Sequence, residues 1–374
     1  MRDRLLGLEP GERDWVVVGA TPAAMLERGF RQVGKDFPVF LHPETAEEYA
    51  LARTERKTGP GYKGFAVHAA PEVTLEEDLR RRDLTINAMA ETATGELIDP
   101  FGGEEDLRAG LLRHVSPAFA EDPVRILRIA RFAARFAGYG FKVAHGTNAL
   151  MRRMVEAGEV DHLVPERVWT ELEKALHTDN PQVFFKVLRG CGALKVLFPE
   201  IDRGFVQRDA GHGASDHPAL TALEQAARRT ADARVRFAAL SRALARSAAL
   251  ERRSADVEAL CARYRIPNDY RELALLTIRL EALAGAGDGP TLHALLESGG
   301  AYRHPGRWSL LLDTFQSCNL IDAARRDELE SLRALTAAVG AADLDTANLR
   351  GPAIGQAIAQ ARLKLIEAHL SSRE

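Results

Sequence analysis

An α+β fold is predicted from three observations. Short β-type runs are confined to about the first 115 residues, Gly and Pro punctuate them, and segments of 3.6-residue periodicity follow from about Ser116. The expected strands are Trp15–Val18, Val39–Leu41, Tyr49–Ala52 and Phe65–His68, each rich in aliphatic or aromatic residues. Past Ser116 the helical pattern is broken by Pro165, Pro181, Pro199, Pro218 and Pro267. From Leu220 to the end the chain is rich in Ala, Leu and Arg and reads as helix, apart from a Gly-rich break at Ala284–Pro290. The expected organisation is a head over residues 1–115, a helical neck over 116–205 and a helical body and tail over 206–374.

Composition sets the bounds. The chain has 374 residues, 46% hydrophobic and 28% charged, which excludes a mainly disordered or fibrous protein. Its apolar runs are far shorter than the roughly 20 residues that cross a bilayer, and Met1–Pro10 is charged rather than signal-like. Cys191, Cys261 and Cys318 are too scattered for a disulfide framework or a zinc ribbon, so a reducing cytoplasm is expected. The net charge of −3, from 50 basic and 53 acidic residues, leaves a nucleic-acid partner open, because charge can be sorted into a positive cleft.

Two patterns bear on chemistry. Glu12-Arg13-Asp14 runs into the apolar strand, and alternation puts Glu12 and Asp14 on one side, with Cα atoms about 6–7 Å apart. Such a pair suits divalent cations that activate a hydroxyl and stabilise a leaving pyrophosphate; a solvated strand end is the other reading. Glu121-Asp122-Pro123 is expected to open a helix, with acids and proline in its first turn. Arg125, Arg128 and Arg131 then recur on one face, with Ile126, Leu127, Ala130 and Ala134 opposite. An arginine array fits phosphates or base edges, and Asp122 can accept from an exocyclic amine while Arg125 donates to a ring acceptor. A solvated helix face fits the same spacing. Arg80-Arg81-Arg82-Asp83 reads on local grounds as a solvated turn, and the basic loop Lys57–Gly64, though able to touch a nucleic-acid backbone, reads as plain surface loop.

Taken together, these motifs resemble the bacterial class II CCA-adding enzymes, tRNA nucleotidyltransferases of the polymerase β superfamily. The resemblance rests on Arg2-Asp3-Arg4-Leu5-Leu6-Gly7, Glu12–Gly19, Arg81–Met89 and Glu121–Arg125. It extends through Arg53–Lys57, Asp99–Gly103, His114–Phe119, Pro165–Trp169, Asn180–Phe185 and Leu197–Ile201. It implies a polymerase β-like head followed by a helical neck, body and tail. It also implies that Glu12 and Asp14 are catalytic and bind Mg²⁺, and that Arg2 and Arg82 contact the nucleotide. Asp122 and Arg125 are implied to read the Watson–Crick edge of CTP or ATP, with Arg128 and Arg131 at neighbouring nucleotide-binding positions. The implied activity is stepwise addition of C, C and A to the tRNA 3′ end. A poly(A) polymerase and a tRNA-binding homologue with impaired catalysis are the alternatives.

Three departures from the family pattern carry their own expectations. The family's strand and Gly-Gly turn precede Arg2, which suggests a start codon placed about ten residues late. The first metal carboxylate is normally Asp and here is Glu12, whose extra methylene shifts the carboxylate by roughly an ångström. Some relatives carry a C-terminal HD phosphohydrolase domain, and here Arg242 and Ala243 stand at the His-Asp positions, with Arg252–Val257 in place of a His-rich loop. His212 and His217 remain nearby and are expected to be loop residues. The body is therefore expected to lack phosphohydrolase chemistry.

Overall fold

Alternating apolar residues in the first fifty positions assemble one mixed sheet of four strands. These are β1 (Asp14–Val17), β2 (Arg31–Val33), β3 (Val39–Leu41) and β4 (Glu48–Leu51), in the order β1-β4-β3-β2. The computed structural model describes residues 1–9, 11, 13–33, 39–57, 65–205, 217–244, 249–344 and 349–372. The β1–β4 pair is parallel and the others antiparallel, so Trp15, Tyr49 and Phe40 lie in one cross-strand row. Trp15 and Tyr49 stack with ring centroids 5.4 Å apart, holding β1 and β4 in register. On that face Phe40 and Leu51 pack with Met25 from the helix α2 (Pro22–Glu27), which follows the short α1 (Arg2–Leu5).

Packing divides the chain into two units, residues 1–175 with 183–197, and residues 176–182 with 198–374. The first unit adds a hairpin of β5 (Thr54–Lys57) and β6 (Phe65–His68), and the helices α3 (Leu75–Arg80) and α4 (Gly103–Arg108). Most of the Lys57–Gly64 loop lies outside the described residues. Beyond them come α5 (Val124–Phe136), α6 (His145–Glu156), α7 (Pro165–Leu176), α8 (Gln182–Gly190) and α9 (Ala193–Leu197). All four strands expected from sequence are present, two of them one residue earlier than expected. The pattern did not disclose β2, a three-residue edge, or β5, whose Glu-Arg-Lys run is held as strand by pairing with β6.

One expectation is corrected. Glu121 ends a 3-10 turn over Pro117–Glu121, Asp122 is extended, and Pro123 caps α5, so this triplet precedes the helix. The Asp122 side chain still serves the helix start, accepting from the Val124 N–H at 3.1 Å, because an extended residue can reach forward to an otherwise unpaired donor. The α5 face opposite the arginines is core as expected: Ile126, Leu127, Ala130 and Ala134 are fully buried.

The second unit is helical: α10 (Pro199–Asp202), α11 (Pro218–Arg229), α12 (Ala233–Arg242), α13 (Leu250–Tyr264), α14 (Asn268–Leu280), α15 (Gly289–Ser298), α16 (Pro305–Ser317), α17 (Ala323–Ala337) and α18 (Pro352–Ser371). At its centre is α12, buried at every position but Arg234 and packed on α11, α14 and α16. Among the described residues no helix is long and apolar enough to cross a membrane.

Candidate active site

Asp14 stands at the exposed start of β1. The other acid of the expected pair, Glu12, lies outside the described residues. The sheet supplies a carboxylate that sequence spacing did not: β4 runs parallel to β1 with Glu48 directly beside Asp14. Adjacent strands lie about 4.8 Å apart and directly paired residues share a face, so two exposed carboxylates flank one point of the sheet edge. Such hard oxygen donors suit Mg²⁺. Alternation in Glu48-Tyr49-Ala50-Leu51 was the available signal, but pairing of β4 with β1 is a tertiary fact.

The arginines converge elsewhere in the first unit, around the buried carboxylate of Asp83. Asp83 accepts from its own following N–H at Leu84 (2.9 Å), from the Asn87 amide (2.9 Å) and from Arg128 Nε (2.7 Å). Burial pushes the Asp83 carboxyl up, yet the Arg128 guanidinium, the Asn87 amide and the nearby Arg125 outweigh it and hold Asp83 below the ordinary carboxylate range. Reciprocally, burial lowers Arg128 while Asp83, Glu171 and Asp122 more than compensate, so Arg128 is held above its ordinary value.

Asn87 ties two further arginines to this point. Its side-chain oxygen accepts from Arg2, and its backbone carbonyl accepts from Arg82 at 3.1 Å. On the other side, Glu171 of α7 accepts from Arg131 Nε at 2.5 Å and lies 3.9 Å from Arg128. Arg125 donates to the carbonyls of Ala118 (3.0 Å) and Arg81 (2.7 Å), fixing α5 against the segment that carries Arg82 and Asp83. Asp122 is gripped by both terminal nitrogens of Arg167, at 3.1 and 2.8 Å.

The structure thus joins Arg2, Arg82, Arg128 and Arg131 through Asp83, Asn87 and Glu171, and sets Arg125 and Asp122 on the same helix start. Asp14 lies outside this hydrogen-bond network. Sequence reasoning missed the roles of Asp83, Asn87, Arg167 and Glu171. Arg167 and Glu171 are four apart on α7, a spacing that puts both on one helix face, and that was the legible clue. Arrayed guanidiniums with in-plane donors can bind a polyphosphate, and a carboxylate beside a guanidinium can read a base edge.

In the second unit, Arg242, at the expected His position, joins an ion cluster with Arg253 and Glu281, while Ala243 at the Asp position carries no charge. Arg242 Nε donates to Glu281 at 2.7 Å, Arg253 donates to the other Glu281 oxygen, and Arg253 Nη2 donates to the Arg242 carbonyl at 2.7 Å. His217 is the N-cap of α11, with one ring nitrogen accepting from Leu220 N–H and the other 2.7 Å from the Ile201 carbonyl. His212 lies outside the described residues.

Comparison with known proteins returns a consistent set of relatives. Residues 1–113 match the Poly A polymerase head domain, and residues 140–205 match the probable RNA- and SrmB-binding site of polymerase A. The multifunctional CCA protein of Thioalkalivibrio sulfidiphilus is 54% identical over 395 residues, covering 98% of this chain and 96% of that protein. That of Methylococcus capsulatus is 51% identical over 402 residues, covering 100% and 94%. The solved Bacillus stearothermophilus CCA-adding enzyme in complex with CTP aligns with a TM-score of 0.67 at 21% identity, covering 100% of this chain and 91% of that one. The Thermotoga maritima CCA-adding enzyme complexed with tRNA gives a TM-score of 0.62 at 23% identity, covering 100% and 89%. At such identities these two structures speak to the fold alone.

Proposed function

Because this chain belongs to the family of multifunctional CCA proteins, we propose that it adds C, C and A to the 3′ end of tRNA, using CTP and ATP and releasing pyrophosphate at each addition. The observation that carries this reading is the arginine network on α5, with Asp122 beside it. A polymerase without a nucleic-acid template must read the incoming base with protein donors and acceptors. Asp122 accepts from the exocyclic amine that cytosine and adenine share, and Arg125 donates to a ring acceptor. Arg2, Arg82, Arg128 and Arg131 offset the triphosphate charge and hold the departing pyrophosphate. The tRNA 3′-hydroxyl attacks the α-phosphate, and binding both reactants in one orientation removes much of the entropic barrier.

Asp14 and Glu12, with Glu48 beside Asp14, would hold Mg²⁺. When bound, the metal supplies charge neutralisation on the phosphate oxygens and a more acidic attacking hydroxyl. The head, neck and body divide at about residues 115 and 205 in this reading, and the helical body tracks tRNA by charge and shape in the cytoplasm. The body carries no HD phosphohydrolase chemistry, a reading supported by Arg242, at the expected His position, closing with Arg253 on Glu281.

Incubation of the protein with tRNA lacking its 3′ CCA, with labelled CTP and ATP separately and together, tests the proposal. The expected product is a completed CCA end, abolished by Asp14→Ala without loss of tRNA binding. A-only tailing favours a poly(A) polymerase, and tRNA binding without incorporation favours a homologue with impaired catalysis.

A further inference from the structure

Phe132 lies on α5 among the arginines and is only 5% exposed, so by periodicity alone it is one more core residue. Its ring has an unusual set of neighbours. The guanidinium carbon of Arg131 is 4.2 Å from the ring centroid, that of Arg2 is 4.9 Å, and that of Arg128 is 5.9 Å. Each falls within the roughly 6 Å over which a cation is attracted to an aromatic face. A second ring, Phe136, lies parallel to Phe132 with centroids 6.1 Å apart and an interplanar angle of 1°. Arg2 packs on this ring too, at 5.1 Å. Arg128, Phe132 and Phe136 follow one another at four-residue intervals, so the helix itself creates the row.

We propose that Phe132 is a positioning residue for nucleotide binding, an aromatic platform that fixes the guanidinium planes of Arg2, Arg128 and Arg131 while leaving in-plane N–H groups for the triphosphate. The inference rests on the nucleotide-binding reading of these arginines. Carboxylate partners also hold them, but each such bond occupies a donor: Glu171 takes Arg131 Nε, and Asp83 takes Arg128 Nε. A ring face need occupy none, because a guanidinium stacked on an aromatic face keeps all of its donors in its own plane. The negative quadrupole of the ring also moderates repulsion among cations gathered on one side of α5. Arg2 reaches this platform from α1 and the other two arginines from α5, so one ring aligns donors that lie far apart in sequence.

The test measures CTP and ATP binding to the full-length protein, with thermal melting and tRNA binding measured alongside. Phe132→Leu, which keeps apolar bulk and deletes the ring, is expected to weaken both nucleotides by roughly tenfold while leaving tRNA affinity unchanged. Phe132→Tyr, which keeps the face, is expected to restore nucleotide binding. Wild-type nucleotide affinity in Phe132→Leu, or equal loss in the Leu and Tyr variants, overturns the proposal. Arg131→Ala separates the two levels of inference. If it weakens CTP binding while Phe132→Leu does not, only the platform falls; if it binds CTP normally, the nucleotide reading falls and takes the platform with it. A readout on the unsubstituted protein guards against misfolded variants. The arginine Nε–H resonances of Arg2 and Arg131 are expected to show ring-current shifts, and their absence also overturns the proposal.

Discussion

Among single side chains, Asp83 is the fixed point of the candidate site, since three donors meet on a carboxylate only 6% exposed. Removing its charge leaves Arg128 without its closest counterion. Asp83→Asn is expected to cost about 2–3 kcal/mol in urea unfolding and to weaken CTP binding. The pH dependence follows from the depressed carboxyl. Its stabilisation is fully present above the unfolded value of about 3.9 and is lost as pH falls through the lower folded value. Wild-type protein should therefore lose this increment only below about pH 4, and Asp83→Asn should lack that part of the acid transition when the two are followed by circular dichroism. On local grounds Arg80-Arg81-Arg82-Asp83 reads as a solvated turn, yet Asp83 is buried. What decides it is α5 passing over the turn, and Arg125 donating to the Arg81 carbonyl. Glu48 was illegible for a related reason: strand partnership is settled across thirty-odd residues of chain, not within a motif.

Elements transmit these positions through close backbone approach. Gly103 begins α4 directly over the 3-10 turn Thr85–Asn87, and a Cβ there would lie 2.3 Å from the Thr85 carbonyl oxygen and 2.8 Å from Met89 Cγ. The first of these obstacles is backbone, which cannot swing aside. Gly103→Ala is therefore expected to destabilise by about 2–3 kcal/mol in chemical denaturation, and to weaken nucleotide binding by displacing Asn87. Neighbouring Gly102 differs: its φ of +70° demands left-handed backbone, but the space around it is open. Alanine there should cost about 1 kcal/mol from backbone strain and leave nucleotide affinity unchanged. At this scale the strands with apolar alternation were readable, whereas the short edge β2 and the charged β5 depend on partners for their conformation. The helix start before α5 was misjudged for an equally local reason. Asp122 works as an extended residue whose side chain reaches forward, a role that the same acids and proline leave open.

For the molecule as a whole, the two units differ in what metal should do. The proposed Mg²⁺ site lies in the first unit, while Glu281 in the second already has two arginines on its oxygens. Chelation by EDTA is expected to stop CCA addition without lowering the thermal midpoint of the helical unit, and hydrolysis of 2′,3′-cyclic nucleotides should be absent with any added divalent ion. Glu281→Gln should destabilise by about 2–4 kcal/mol, read by thermal or urea melting, because it strips the counterion from two largely buried cations. The head motifs and the helical body were legible because they rest on ordered local patterns. The cluster was half legible: Arg242 and the Arg252–Val257 stretch were marked as departures, but their meeting at Glu281 depends on how α12, α13 and α14 pack.

The cluster also couples its members to one another. Changing Arg242 to histidine frees one oxygen of Glu281 but leaves Arg253 on the other. Changing Arg253 first leaves Arg242 paired with Glu281 but removes the donor to the Arg242 carbonyl, and changing Glu281 first strands both cations. Arg242 on α12 and Arg253 on α13 are both largely buried, so neither relaxes freely outward into water. Each single substitution in the cluster is therefore expected to lower stability. The three side chains are thus coupled, and substitutions among them are expected to be strongly non-additive in stability.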